Sequence, residues 1–263
     1  MKDNYYLEVS ASGVGIVVEL NGVPVVKEFD GEGYQEALPV NAWLRKSANT
    51  LKVSLLPPVP DEEDPQPIGE QVVMVKLFLN QAGAQSIEVA KVLSVFTWPL
   101  LDIPSLIPYQ FQDVIREPIA TPSAMTLWNQ TKAVNTLSPR DHQFMFESIQ
   151  HFSSLLLAKN YDQAFKFMGL KFNDQALTSI HPASELKAAV VEMWEHLLSM
   201  EEVKLQKVGL QDLKFEVVGD GHLVEVTRID GAPAILFEDV DEEMMYGIPL
   251  YFGMVNEQWR ILR

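Results

Sequence analysis

The chain has 263 residues, 47% of them apolar and 21% charged, and a formal net charge of −16. That length holds one large domain or two ordinary ones, and that apolar fraction is enough for packed cores. The acidity argues against nucleic acid and anionic membrane surfaces as partners, since both need clustered Lys and Arg; the absence of cysteine excludes disulfides, thiolate nucleophiles and thiolate metal sites.

The stretch 14-VGIVVELNGVPVVKEF-29 places two β-rich runs around Asn21-Gly22, the signature of a two-residue hairpin, and Pro24 assigns the second strand to a sheet edge. In 49-NTLKVSLL-56, Leu51, Val53 and Leu55 share one face and Lys52 and Ser54 the other. Trp43-Leu44, just ahead of that strand, reads as a plug at the end of the core. The Pro- and acid-rich 57-PPVPDEEDPQPIGE-70 reads as a solvated loop inserted between two strands, because 71-QVVMVKLFL-79 and 86-SIEVAKVLSVF-96 continue the β pattern. Prolines mixed with large apolar residues over 98–137 predict a packed connector, with Trp128 as an interface residue. The most apolar long stretch, 92-VLSVFTWPLLDIPSLIP-108, carries Asp102 and three prolines, so it is not expected to cross a membrane. The N-terminal MKDNYYLEVSASGVG has no apolar leader, which makes the cytoplasm the expected location, a chain trimmed of its leader being the alternative.

From Ser138 the period changes to helical. Ser138 is an N-cap, Pro139 fits the first helical position and Asp141 falls in the first turn. Met145, Ile149, Phe152 and Leu156 lie on one face of that helix. A short helix is predicted over 160–169, with Asn160 as cap and Gly169 as stop, and a third over about 182–200. The runs 208–218, 222–229, 233–238, 244–254 and 258–262, separated by short turns, predict an antiparallel meander. The expected architecture is therefore an all-β sandwich over 1–97, a connector over 98–137 and a three-helix α+β domain over 138–263.

Nucleophile elbows, phosphate-binding loops and dinucleotide fingerprints are missing, and no cofactor is implied. His142 and His151 fall on opposite faces of one helix and cannot share a metal; no metal site is expected. With strict alternation over 244–254, Tyr246 projects among apolar residues, and Glu225 on the neighbouring run is the one carboxylate that pairs with it as an acid–hydroxyl couple; Trp194 is the third candidate for lining a pocket. The competing reading makes Tyr246 and Trp194 core residues and Glu225 a solvated one. Glu238, Asp239, Asp241, Glu242 and Glu243 form an acidic run that serves either as a solvated loop or as the contact for a basic protein partner.

Two resemblances add to this. The turn Lys159-Asn160-Tyr161-Asp162-Gln163-Ala164 between helices and the closing Glu257-Gln258-Trp259-Arg260-Ile261 resemble the cystatin-like superfamily that includes nuclear transport factor 2 and ketosteroid isomerase, with Glu257 in place of the usual glycine. The resemblance covers about 138–263 and implies a cone-shaped sheet wrapped on helices, a fold that hosts enzymes, binders and scaffolds alike. Asn41-x-Trp43-Leu44-Arg45, followed by Asn49-x-Leu51-x-Val53, looks like the accessory jelly-roll (galactose-binding-like) sandwiches of glycoside hydrolases, with Lys46-Ser47-Ala48 where a glycine turn is usual. A non-catalytic binding protein is the leading expectation. The alternatives are a small-molecule binder or acid/base enzyme using the cone, and carbohydrate binding by the sandwich.

Overall fold

The structure, a computed structural model, describes residues 4–45, 48–59, 70–80, 91–99, 106–116, 130–178, 183–239 and 244–263. The chain is β-rich, with several antiparallel sheets and, among the described residues, four helices, and it divides into two compact units, Met1–Ser123 and Ala124–Arg263.

The first unit holds two four-stranded sheets. One has the order β4-β1-β6-β7, from β1 (Asn4–Ser12), β4 (Tyr34–Pro39), β6 (Val72–Asn80) and β7 (Lys91–Trp98). The other has the order β3-β2-β5-β8, from β2 (Gly15–Leu20), β3 (Val23–Glu28), β5 (Asn49–Leu56) and β8 (Tyr109–Ile115). Alternation does what the sequence predicts: Leu51, Val53 and Leu55 are buried, while Lys52 faces out and pairs with Glu19 across the strand at 2.6 Å. Asn21 and Gly22 take φ of 54° and 74°, as a primed hairpin turn requires, and β3 with Pro24 lies at the sheet edge. The ring of Phe96 on β7 stacks on Phe111 of β8 at 4.8 Å, and Ser94 Oγ donates to Asp113 Oδ2 at 2.7 Å, so the two sheets meet at this corner. The connector expected over 98–137 is thus interrupted by a full strand. β8 pairs with β5 from Asn49↔Ile115 to Leu55↔Tyr109. Sequence reading missed it because Pro104 and Pro108 precede it closely. Trp128 and most of the 57–70 loop lie outside the described residues.

A buried asparagine network closes the end of this unit. Asn21 Nδ2 donates to Trp43 O and to Asn49 Oδ1, both at 2.8 Å, and Asn21 Oδ1 accepts from Thr50 N at 3.0 Å. Asn49 Oδ1 also accepts from Arg45 N at 2.7 Å, and its Nδ2 donates to Arg45 O. Leu44 is fully buried, whereas Trp43, in a 3-10 turn over Asn41–Trp43, is only half-buried.

The described helices of the second unit are α1 (Pro139–Leu157), α2 (Tyr161–Phe167), α3 (Gly169–Thr178) and α4 (Ala183–Leu197), all ahead of its strands in the chain. The Ser138–Asp141 capping box forms as predicted, and Met145, Ile149, Phe152 and Leu156 are all buried. Gly169 does not end the helical region; it opens α3, and the Asn160 side chain makes no capping bond. The strands form two sheets instead of one meander. One has the order β10-β11-β14-β15, from β10 (Leu213–Val218), β11 (Leu223–Arg228), β14 (Leu250–Val255) and β15 (Gln258–Ile261). The other has the order β13-β12-β9, from β9 (Val203–Leu205), β12 (Ile235–Asp239) and β13 (Met244–Ile248). The run 244–254 is split at Pro249, which has no N–H to give a ladder, so its two halves belong to different sheets.

Trp259 on β15 donates its indole N–H to Asp141 Oδ1 at 2.7 Å, while Asp141 Oδ2 accepts from Ser138 N and from Ser138 Oγ, each at 2.7 Å. Burial alone would raise the Asp141 carboxyl; the bonds from Ser138 and Trp259, helped by His142, outweigh it and hold it below the ordinary aspartate value.

Two outcomes follow for stability. Asn49→Ala strips partners from Asn21 and from both backbone groups of Arg45, and is expected to cost on the order of 2–3 kcal/mol in urea unfolding. Asp141→Ala is expected to cost about 1–2 kcal/mol at pH 7. Because the folded pKa is the lower one, that contribution is whole above the unfolded aspartate value of about 3.9 and fades as pH falls through the folded value. Wild type should therefore lose more stability than Asp141→Ala between pH 5 and pH 2; parallel pH curves would remove the carboxylate from this role.

Candidate functional site

The helix-facing side of the second unit is filled. Val224 and Val226 of β11 and Leu250 and Phe252 of β14 pack in one cluster with Phe152, Phe172, Trp194 and Phe237. Trp194 is 1% exposed, and its ring meets Phe152 edge-on at 5.6 Å and Phe172 at 6.0 Å. It is a core residue, placed there by the apolar face of α4.

Glu225 and Tyr246 are not brought together. Glu225 lies on β11 and is buried at 8% exposure, opposite Tyr251 of β14. Tyr246 lies on β13 in the other sheet, opposite Phe237, and is 38% exposed. The break at Pro249 is the physical reason: alternation does not carry across it, so Tyr246 does not share a buried face with Leu250 and Phe252. The acid–phenol couple that exists is Tyr251 Oη donating to Glu225 Oε1 at 3.0 Å. Burial, then the Glu225 carboxylate, push the Tyr251 phenol well above its ordinary range, so it stays a neutral donor. This couple sits on the face of the sheet opposite Val224 and Val226, away from the helices. Sequence reasoning missed Tyr251 for want of the register, which the Asn256-Glu257 turn fixes: Val255↔Gln258 counts back to Phe252↔Ile261.

Lys171 of α3 donates to the carbonyl of Pro249 at 2.9 Å, satisfying the chain where it leaves one sheet for the other. Burial, and then the Arg263 guanidinium, bring the Lys171 ammonium down to about 8.

Of the acidic run, Glu238 accepts from Gln206 Nε2, and Asp239 is buried at 7% exposure opposite Val203. Asp241, Glu242 and Glu243 lie outside the described residues. Among the described residues no cluster of His, Asp and Glu has the arrangement of a metal site, and no helix is long and apolar enough to cross a membrane.

The outer surface of the same unit carries a cleft of about 560 Å³ between β15 and the ends of α2 and α3, lined by Lys166, Phe167 and Leu170 on one side and Gln258, Arg260 and Ile261 on the other. A second space of about 240 Å³ shares Lys166, Phe167, Arg260 and Ile261 and reaches Phe144 and Ser148 of α1. Phe144 and Phe167 are 46% and 38% exposed. The closing motif that holds Gln258, Arg260 and Ile261 speaks to fold alone, and no motif marks Lys166, Phe167 or Phe144, which lie far from it in the chain.

No family model matches the sequence, no curated protein matches it, and no solved structure matches the fold.

Lys171 sets a pH dependence. Between about pH 8 and pH 10 the unfolded chain keeps a lysine proton that the folded chain has released, so the unfolding free energy rises with pH across that interval. Lys171→Met should lose that rise in urea titrations at pH 7.5 and 9.5; equal rises in both proteins would place the proton elsewhere.

Proposed function

We propose that the chain is a non-catalytic binding protein that meets a macromolecular partner on its outer surface. The observation that carries this reading is the filled helix-facing side of the second unit: Phe152, Trp194 and Phe252 occupy the volume that an internal ligand would need. For the fold, the reading proposes a jelly-roll-like sandwich for the first unit and a cystatin-like, nuclear-transport-factor-2-like arrangement for the second. Support for these comes from paired antiparallel sheets in the former and helices ahead of antiparallel strands in the latter.

The net charge of −16 favours a basic protein surface as partner, with Asp241, Glu242 and Glu243 as its contact. Glu238 and Asp239 are engaged within the fold and are assigned no part in that contact. An acid/base enzyme is the second reading, and one observation favours it: a buried carboxylate and phenol at hydrogen-bond distance. It would use Glu225 with Tyr251, in place of Tyr246. The phenol already donates to the carboxylate, which is the arrangement of a structural pair.

In native extract the untagged chain should sediment well above its own 29.6 kDa, and the triple variant Asp241→Lys, Glu242→Lys, Glu243→Lys should return to that mass. A wild-type profile in extract identical to that of the purified chain would overturn the binding reading.

A further inference from the structure

We propose that the cleft along β15 receives an extended acidic peptide segment of a partner protein, which adds to β15 as a further strand and sets its carboxylates against Arg260 and Lys166. The inference rests on the binding-protein reading but uses a surface distinct from residues 241–243.

Backbone geometry supplies the first half of the argument. β15 ends the order β10-β11-β14-β15, and among the described residues no strand lies beyond it. Asn256 and Glu257 both have positive φ, 49° and 61°, so β14 and β15 are joined by a two-residue primed turn. The pair flanking such a turn, Val255 and Gln258, exchanges hydrogen bonds, and alternation makes Gly253 and Arg260 the next bonded pair. Trp259 and Ile261 are then the residues whose backbone N–H and C=O groups point away from β14, towards the side on which no described strand lies. An edge of this kind is a template for an added strand, with main-chain bonds supplying affinity and side-chain contacts supplying choice. The four residues of β15 span roughly 13 Å, room for about four residues of a partner.

Charge and apolar surface supply the second half. The chain carries 36 acidic residues against 20 basic ones, yet among the described residues the only charged side chains lining either space are Lys166 and Arg260. Neither has a carboxylate partner among the described residues. Asp162, which feels Lys166, is paired with Lys187 at 2.7 Å, and Arg260 donates to the neutral Gln258. Phe144 and Phe167 offer exposed rings beside the cations. An extended segment presents alternate side chains to opposite faces, so carboxylates at one parity meet Arg260 while residues at the other meet Phe144 and Phe167 on the helix side, with Lys166 adding its charge to the cleft.

The test uses a capped six-residue peptide alternating glutamate and valine, its glutamine and lysine counterparts, and a glutamate version N-methylated at alternate residues. Each is titrated into the full chain and followed by amide chemical shifts. The glutamate peptide should bind at least tenfold tighter than the glutamine one, with the largest shifts at Trp259 and Ile261. The double variant Lys166→Gln, Arg260→Gln should bring that ratio close to one while keeping the wild-type melting temperature, both side chains being exposed. Equal binding of the N-methylated peptide would overturn strand addition and leave a site for small carboxylates. Shifts elsewhere, or equal binding of the lysine peptide, would overturn the proposal outright. Failure of all the peptides while the complex in extract persists would remove this inference and spare the binding reading.

Discussion

The carboxylate of Asp141 accepts bonds from the Ser138 backbone, the Ser138 hydroxyl and the Trp259 indole. Two of these bonds start the first helix; the third comes from the last strand of the second unit. Helix start and strand are thereby held at one point, and the rotation of α1 about its axis is set. With that rotation Met145, Ile149, Phe152 and Leu156 turn inward, and Phe144 and Ser148 stand beside β15. The filled interior and the cleft on the outside are two results of the same orientation.

The first unit has a counterpart in Asn21 and Asn49. Their amides bind backbone groups that a turn and a strand start leave without ladder partners, in a place no water reaches easily. Amide side chains suit this because each is donor and acceptor at once. The Asn-Gly turn therefore does more than reverse the chain: its first residue, held at positive φ, also anchors the segment through Trp43.

What could be read from the sequence was local. The hairpin at Asn21-Gly22, the edge position of Pro24, the capping box and the buried stripe of α1 each depend on residues a few positions apart. What could not be read depends on register and on a single proline. Treating 244–254 as one strand put Tyr246 in the core and hid Tyr251, because alternation is informative only while a strand stays in one ladder. Helix α3 was missed because Gly169, a common stop, here begins a new helix. The cleft was invisible for a different reason: Lys166, Arg260 and Phe144 are unremarkable singly, and their meaning lies in being brought together in an otherwise acidic chain.

The edge of β15, beyond which no described strand lies, bears on how copies of this chain treat one another. Antiparallel pairing of two copies through both outward residues would match Trp259 of each with Ile261 of the other. That register sets Arg260 directly opposite Arg260, and like charges facing across a ladder repel. Any register avoiding the clash forfeits part of an already short strand. The guanidinium thus disfavours that pairing of two copies, a repulsion that a segment of different sequence would not meet.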